Sequence, residues 1–256
     1  ERAWISIPPT LYRLNQDEAA ARPWVERVND ALAEVASRHS DRLNALFHLP
    51  VRHPMLATAT VKRQAAHGDA RFAMPAGSAA HGLMLSDSAY EPLWEALAAA
   101  NAFVFLHPSQ GCDARLDRYS LQNLLGNPFE TAVAAAHLAM SGVPERHPTI
   151  TFCLAHGGGV TGAVAGRLER GRETERPGID TAAERPRVAF RRFCVDCITH
   201  DPAALRLAAA TFGDGQILFG SDWPFSMGIT DPQARLAEID AALARGIAAD
   251  NAERLL

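Results

Sequence analysis

The chain has 256 residues, of which 48% are hydrophobic and 21% charged, and its formal net charge is -4. That much apolar residue is ample for the core of one globular domain spanning residues 1–256. The slightly acidic balance argues against a nucleic-acid or polyanion surface. No apolar run reaches the roughly 18 residues of a membrane span. No charged-then-apolar leader opens the chain, so the expected location is cytoplasmic.

Glu1 to Ile7 is strand-like and stops at Pro8-Pro9. It begins abruptly, as though a segment upstream were absent. Pro23 to Arg38 has helical spacing, with Val25, Val28, Leu32 and Val35 on one face and Pro23 suited to the first turn. Leu43 to Leu49 is the next strand, ended by Pro50. Pro54 to His67 is a helix, and Arg71 to Met74 a strand closed by Pro75-Ala76-Gly77. After a looser segment comes the helix Glu91 to Ala100, then the apolar strand Ala102 to Leu106, ending in His107-Pro108.

A long loop then closes on Asn127-Pro128-Phe129-Glu130, a helix start with Asn as cap and Pro at the first position, resembling a capping box. That helix runs to about Met140. Thr149 to Ala155 is a buried strand leading into His156-Gly157-Gly158-Gly159, with a helix over about Val160 to Arg170. Gly171 to Arg187 is polar and interrupted by Pro177 and Pro186; a partner-facing insertion and a solvated loop both fit. A strand around Phe193 follows, then a helix opened by Asp201-Pro202. Ile217 to Phe219 is a buried strand that breaks at Gly220 and delivers Asp222, and Trp223-Pro224 forbids its continuation. Helices from Asp231-Pro232 complete the chain.

Strand and helix alternate throughout, which predicts an α/β fold with a parallel sheet and crossover helices. Seven strands are countable. No glycine-rich phosphate loop follows the first, and Gly157-Gly158-Gly159 lacks the spacing of a dinucleotide fingerprint. A TIM-like (β/α)8 barrel whose first strand is absent from this chain fits better than a doubly wound sheet. Such a barrel would bring His107, His156 and Asp222 to one face, because strand carboxyl ends carry its active site.

The other reactive side chains are read as structural. Cys112, Cys153, Cys194 and Cys197 are expected to be unpaired, and Cys194-x-x-Cys197 lies in a strand with no second CxxC to complete a zinc site. His48 ends a strand and is expected to be a satisfied core histidine, with a pocket-facing role as the alternative. His53, His67, His81, His137, His147 and His200 are assigned no chemistry. No Gly-x-Ser-x-Gly elbow is present for a serine hydrolase.

His107-Pro108, Ala155-His156-Gly157-Gly158-Gly159 and Phe219-Gly220-Ser221-Asp222-Trp223-Pro224-Phe225, each after a buried strand, resemble the amidohydrolase superfamily. Within it they are similar to the branch of aminocarboxymuconate-semialdehyde decarboxylase and the resorcylate-type decarboxylases. The likeness extends to Leu125-Gly126-Asn127-Pro128-Phe129-Glu130-Thr131 and to the closing Asn251-Ala252-Glu253-Arg254-Leu255-Leu256.

The resemblance implies one catalytic divalent metal, usually zinc and sometimes manganese. It implies that His107 and Asp222 bind this metal, and that Asp222 and His156 are catalytic. Arg167, eleven residues after His156, matches an arginine that reaches a neighbouring subunit's substrate carboxylate, and Arg176-Pro177 resembles a second. A homodimer is expected on the same ground. The branch also carries a first-strand His-x-His pair that supplies two metal ligands, and this sequence has no such pair.

The implied activity is nonoxidative decarboxylation of a small aromatic or unsaturated carboxylic acid. Metal-dependent hydrolysis of a lactone or amide is the alternative on the same barrel. From another class, a metal-free pseudoenzyme or binding protein is the rival.

Overall fold

The computed structural model describes residues 2–76, 83–109 and 113–255. Glu1, Gly77, His81, Cys112 and Leu256, on which some of the expectations above fall, lie outside the described residues.

Strand β1 (Ala3–Ile5) pairs in parallel with β2 (Leu43–Ala45). A second parallel ladder joins β3 (Phe47–His48), β4 (Arg71–Pro75), β5 (Phe103–His107), β6 (Thr151–Leu154), β7 (Cys194–Asp196) and β8 (Ile217–Leu218), in that order. The expected single strand Leu43 to Leu49 is thus two short ones. Its first half pairs with β1, the Leu46 N–H donates to the Ile5 carbonyl at 2.8 Å, and its second half pairs with β4.

Each strand pairs only with a neighbour in the chain, β2 and β3 being successive halves of one extended segment, and the order never reverses. A doubly wound sheet reverses at a switch point, whereas unbroken sequential order is the winding of a parallel barrel. The sheet also curls. Trp4 of β1 packs edge-on against Phe103 of β5 with ring centroids 4.7 Å apart, although three strands lie between them in chain order. Leu46, Ala73, Phe103, Cys153, Cys194 and Leu218 share one buried inner cluster. Among the described residues, the first strand β1 pairs only with β2 and the last strand β8 only with β7.

Alternation of side chains along each strand sends the next residues outward. Phe72, Val104, Phe152, Val195 and Ile217 form the layer beneath the helices. There Phe152 lies 5.7 Å from the Trp94 ring and 6.0 Å from that of Phe193.

The helices cover that outer layer. Helix α1 (Glu18–Arg38) starts earlier than expected because the Asp17 carboxylate accepts from the Ala20 N–H at 2.9 Å, so Pro23 lies inside it. Val25, Val28 and Leu32 are buried, but Val35 is exposed. Helices α2 (Pro54–Ala66) and α3 (Glu91–Ala99) fall close to expectation.

Helix α4 (Asn127–Met140) does not begin at an Asn cap. The chain enters it from a π-helical turn over Gln122–Gly126, so Asn127 already has helical angles and Gly126 is the capping residue. A capping side chain needs an extended backbone, which is missing here.

After the short α5 (Val143–Arg146), α6 (Thr161–Glu173) takes up the start of the polar 171–187 segment. The rest of that segment folds back onto the protein. The Glu169 carboxylate accepts from the Arg185 guanidinium and the Arg187 N–H, and Arg172 donates to the Thr181 and Ala183 carbonyls. Helix α7 (Pro186–Ala189) leads to β7. Both Asp-Pro starts cap as expected. Asp201 accepts from Ala203 and Ala204 at the start of α8 (Pro202–Phe212), and Asp231 accepts from Ala234 at the start of α9 (Pro232–Leu236). Short helices α10 (Ala241–Arg245) and α11 (Asn251–Leu255) follow, and Ala252 and Leu255 pack against the inner cluster.

Phe152→Ala is expected to destabilise the fold by about 3–5 kcal/mol, because the cavity it leaves is walled by rings that cannot collapse into it. Val188→Ala, at an exposed position, should stay within about 0.5 kcal/mol. Chemical denaturation of the two variants measures the contrast, and equal losses would contradict this account of the outer layer.

Candidate active site

Parallel strands deliver their carboxyl ends to one side of the sheet, and the chemistry-bearing residues sit there. His107 is the last residue of β5, His156 follows β6, Asp196 ends β7 with His200 in the loop beyond, and Asp222 follows β8.

The His107 Nδ1 lies 2.7 Å from the Pro108 carbonyl. Only an N–H can meet a carbonyl there, so the tautomer is set and Nε2 keeps its lone pair. The His107 and His156 rings are 4.9 Å apart and steeply inclined. Burial holds His107 down to about 3, with the neighbouring His156 pushing the same way. Burial likewise lowers His156 to about 4, followed by the charge of His200. Both are therefore neutral imidazoles near neutral pH. The His156 Nδ1 is buried without a hydrogen-bond partner among the described residues. Asp222 is raised above the ordinary carboxylate value by burial and then by the nearby Asp196, while His200 opposes the shift.

His156, His200 and Asp222 have φ of 57, 56 and 52 degrees. Left-handed backbone is costly for residues with a Cβ and clusters where function requires a particular aim. After His156 the turn continues through glycines that are also left-handed, and a Cβ on Gly159 would stand 2.1 Å from the Pro128 carbonyl oxygen. Only glycine fits that approach.

His156, His200 and Asp222 line a cleft of about 350 Å³ whose other walls include Leu124, Leu207 and Met227. His107 stands against His156 and is not on the cleft wall. His200, to which the sequence reading assigned no chemistry, thus belongs to the cleft. Its signal was the one that found His156: a histidine just past a buried strand. Asp196 was also missed, since nothing in Cys194-Val195-Asp196-Cys197 separates it from a strand residue.

Arg167 and Arg176 lie on α6 and just beyond it, exposed, with no ion pair among the described residues and away from the cleft lining. This chain does not bring them together with its histidines. His107 and Asp222 are not joined by a third ligand either: among the described residues no three His, Cys, Asp or Glu side chains are grouped to hold a metal ion.

His48 is buried as expected but is not a satisfied histidine. Its backbone N–H and carbonyl are both bonded to Asn29, at 2.7 and 3.1 Å, and its ring stacks on Tyr12. Both ring nitrogens are buried without a hydrogen-bond partner among the described residues. Cys153, Cys194 and Cys197 are free and buried. No helix among the described residues is long and apolar enough to cross a membrane.

The amidohydrolase family profile matches residues 14–256. A 2-amino-3-carboxymuconate-6-semialdehyde decarboxylase of Dictyostelium discoideum is 30% identical over 231 residues, covering 88% of this chain. The matched stretch spans 63% of that protein's length. A solved 2,6-dihydroxybenzoate decarboxylase, complexed with 2,6-dihydroxybenzoate, superposes with a TM-score of 0.87 at 25% identity, covering 100% of this chain and 83% of its own. A dihydroxybenzoic acid decarboxylase of Polaromonas, solved with manganese and the inhibitor 2-nitroresorcinol, has a TM-score of 0.79 at 24% identity, covering 93% and 76%. A sequentially wound parallel sheet with histidines and an aspartate at its strand ends, and a profile match over nearly the whole length, agree: the chain belongs to the amidohydrolase family.

Proposed function

We propose that this chain catalyses the nonoxidative decarboxylation of a small aromatic or unsaturated carboxylic acid, with a divalent metal held by His107 and Asp222. The observation that carries this reading is the convergence of His156, His200 and Asp222 on one cleft at the strand ends. The decarboxylases similar to this chain support the reaction class. The donor chemistry fits a metal, since the His107 tautomer leaves Nε2 free and Asp222 offers a carboxylate. Zinc and manganese both suit such a mixed set. When bound, the ion would supply positive charge for the substrate's oxygens.

The chain's own residues do the rest. Asp222, on the cleft wall, is placed to deliver a proton to the carbon that bears the carboxylate and to take one back from solvent for the next turnover. The bond from that carbon to the carboxyl carbon breaks, its electrons stay on the substrate skeleton, and CO2 leaves. His156, a neutral imidazole, hydrogen-bonds the oxygen on which charge collects. Leu124, Leu207 and Met227 give the ring an apolar seat. Arg167 and Arg176, both exposed, would serve a neighbouring subunit in a homodimer, pairing with its substrate carboxylate.

In the metal-loaded protein, Asp222→Asn is expected to lower kcat about 10³-fold and His156→Gln about 10²-fold, the range for lost proton transfer and charge stabilisation. CO2 release from a panel of aromatic and unsaturated carboxylates measures both, and no turnover of any of them would defeat the reading. After incubation with excess zinc or manganese, elemental analysis should find more metal per chain in the wild type than in His107→Ala. Retention of metal by that variant would remove His107 from the ligand set. Mixing Arg167→Ala with Asp222→Asn chains should restore activity above either alone, because each pair can then assemble one intact site. No gain on mixing would place Arg167 outside the partner's site.

A further inference from the structure

We propose that Asp196 is the positioning residue of this site: its buried carboxylate fixes the backbone turn that aims His156 and ties it to the loop that carries His200. The inference rests on the catalytic role given to His156 above.

Asp196 is 4% exposed, at the last position of β7. One carboxylate oxygen accepts from the His156 N–H at 3.0 Å. The other accepts from the Gly157 N–H at 2.9 Å and the Ile198 N–H at 3.0 Å. These three donors lie past the ends of their strands, where no ladder partner remains, and a buried amide without an acceptor is costly. One side chain satisfies all three, on two loops.

The surroundings leave the turn nowhere to go. A Cβ on Gly157 would stand 2.4 Å from the Thr199 methyl, and one on Gly220 would stand 2.9 Å from the Cβ of Asp196. The loops after β6, β7 and β8 are therefore packed around a single carboxylate. His156, with φ of 57 degrees, has a conformation that its own side chain disfavours, and the bond to Asp196 opposes its relaxation. Asp196 is not on the cleft wall, so it acts through His156 and not on substrate. Catalytic groups hold their aim only when such supporting bonds lock them.

Asp196→Asn separates this role from a general structural one. The amide can keep its carbonyl oxygen towards Gly157 and Ile198, but its NH2 then faces the His156 N–H, donor against donor. In the folded variant, the His156 ring signals in a histidine NMR spectrum, assigned through His156→Gln, are expected to move, while those of His53 and His147 stay in place. In the metal-loaded enzyme kcat should fall by about tenfold or more with KM little changed, as a small misplacement of a catalytic group does. Unmoved His156 signals with unchanged kcat would overturn the proposal, and so would all histidine signals moving together.

If the variant does not fold, wild-type hydrogen exchange decides. The His156, Gly157 and Ile198 amides should exchange among the slowest of all loop amides, and rapid exchange would overturn the proposal. If the wild type decarboxylates nothing, the reaction assigned above fails, while the NMR and exchange results still judge the positioning role.

Discussion

Parallel pairing in unbroken chain order is the constraint from which the rest of this structure follows. Each strand must return to the same end of the sheet before the next begins, so a helix crosses the outer face after most strands and every loop that leaves a strand opens on the same side. Steady curvature then brings β1 against β5 through Trp4 and Phe103, and draws the loops after β5, β6, β7 and β8 into contact. His107, His156, His200 and Asp222 are neighbours because of this geometry, although they are spread over 115 residues of chain from His107 to Asp222.

The site is bought at some cost in backbone strain. Three of its polar residues are left-handed, and the Asp196 carboxylate lies close enough to disfavour ionisation of Asp222. Burial raises Asp196 to about 6 even though three backbone N–H groups favour its charged form. The strain persists because the loops are over-determined. Glycines with no room for a Cβ, the Asp196 bonds and the Asp201 cap of α8 all restrict the same few residues. Well-packed strands below them supply the rigid base, with inner and outer apolar layers alternating residue by residue.

Elements with strong local signals were legible. The Asp-Pro starts of α8 and α9, the buried strands ending at His107 and Leu154, and the unpaired cysteines at Cys153, Cys194 and Cys197 all follow from spacing and side-chain chemistry. Local signals also misled. Asn127-Pro128 has the composition of a helix start, yet the chain is already helical when it arrives there. Pro23 looked like a first-turn residue, but the Asp17 carboxylate opens the helix upstream of it. In both cases a neighbouring segment outside the motif decided where the helix began.

By itself the sequence determined the alternation of strand and helix, and hence a parallel sheet whose strand ends carry His107, His156 and Asp222. Hydrophobic periodicity and turn residues are local, so they survive in one dimension. Only the tertiary structure decided which side chains complete the site. His200 joins the cleft, and Asp196 reaches His156 across 40 residues of sequence, because β6 and β7 are adjacent strands. Tertiary structure also left Arg167 and Arg176 facing outward and set His48 against Tyr12. Such contacts depend on strand curvature and loop packing, which arise from the whole chain folding at once; His200 carries only the mark of a histidine past a buried strand, and Asp196 carries none.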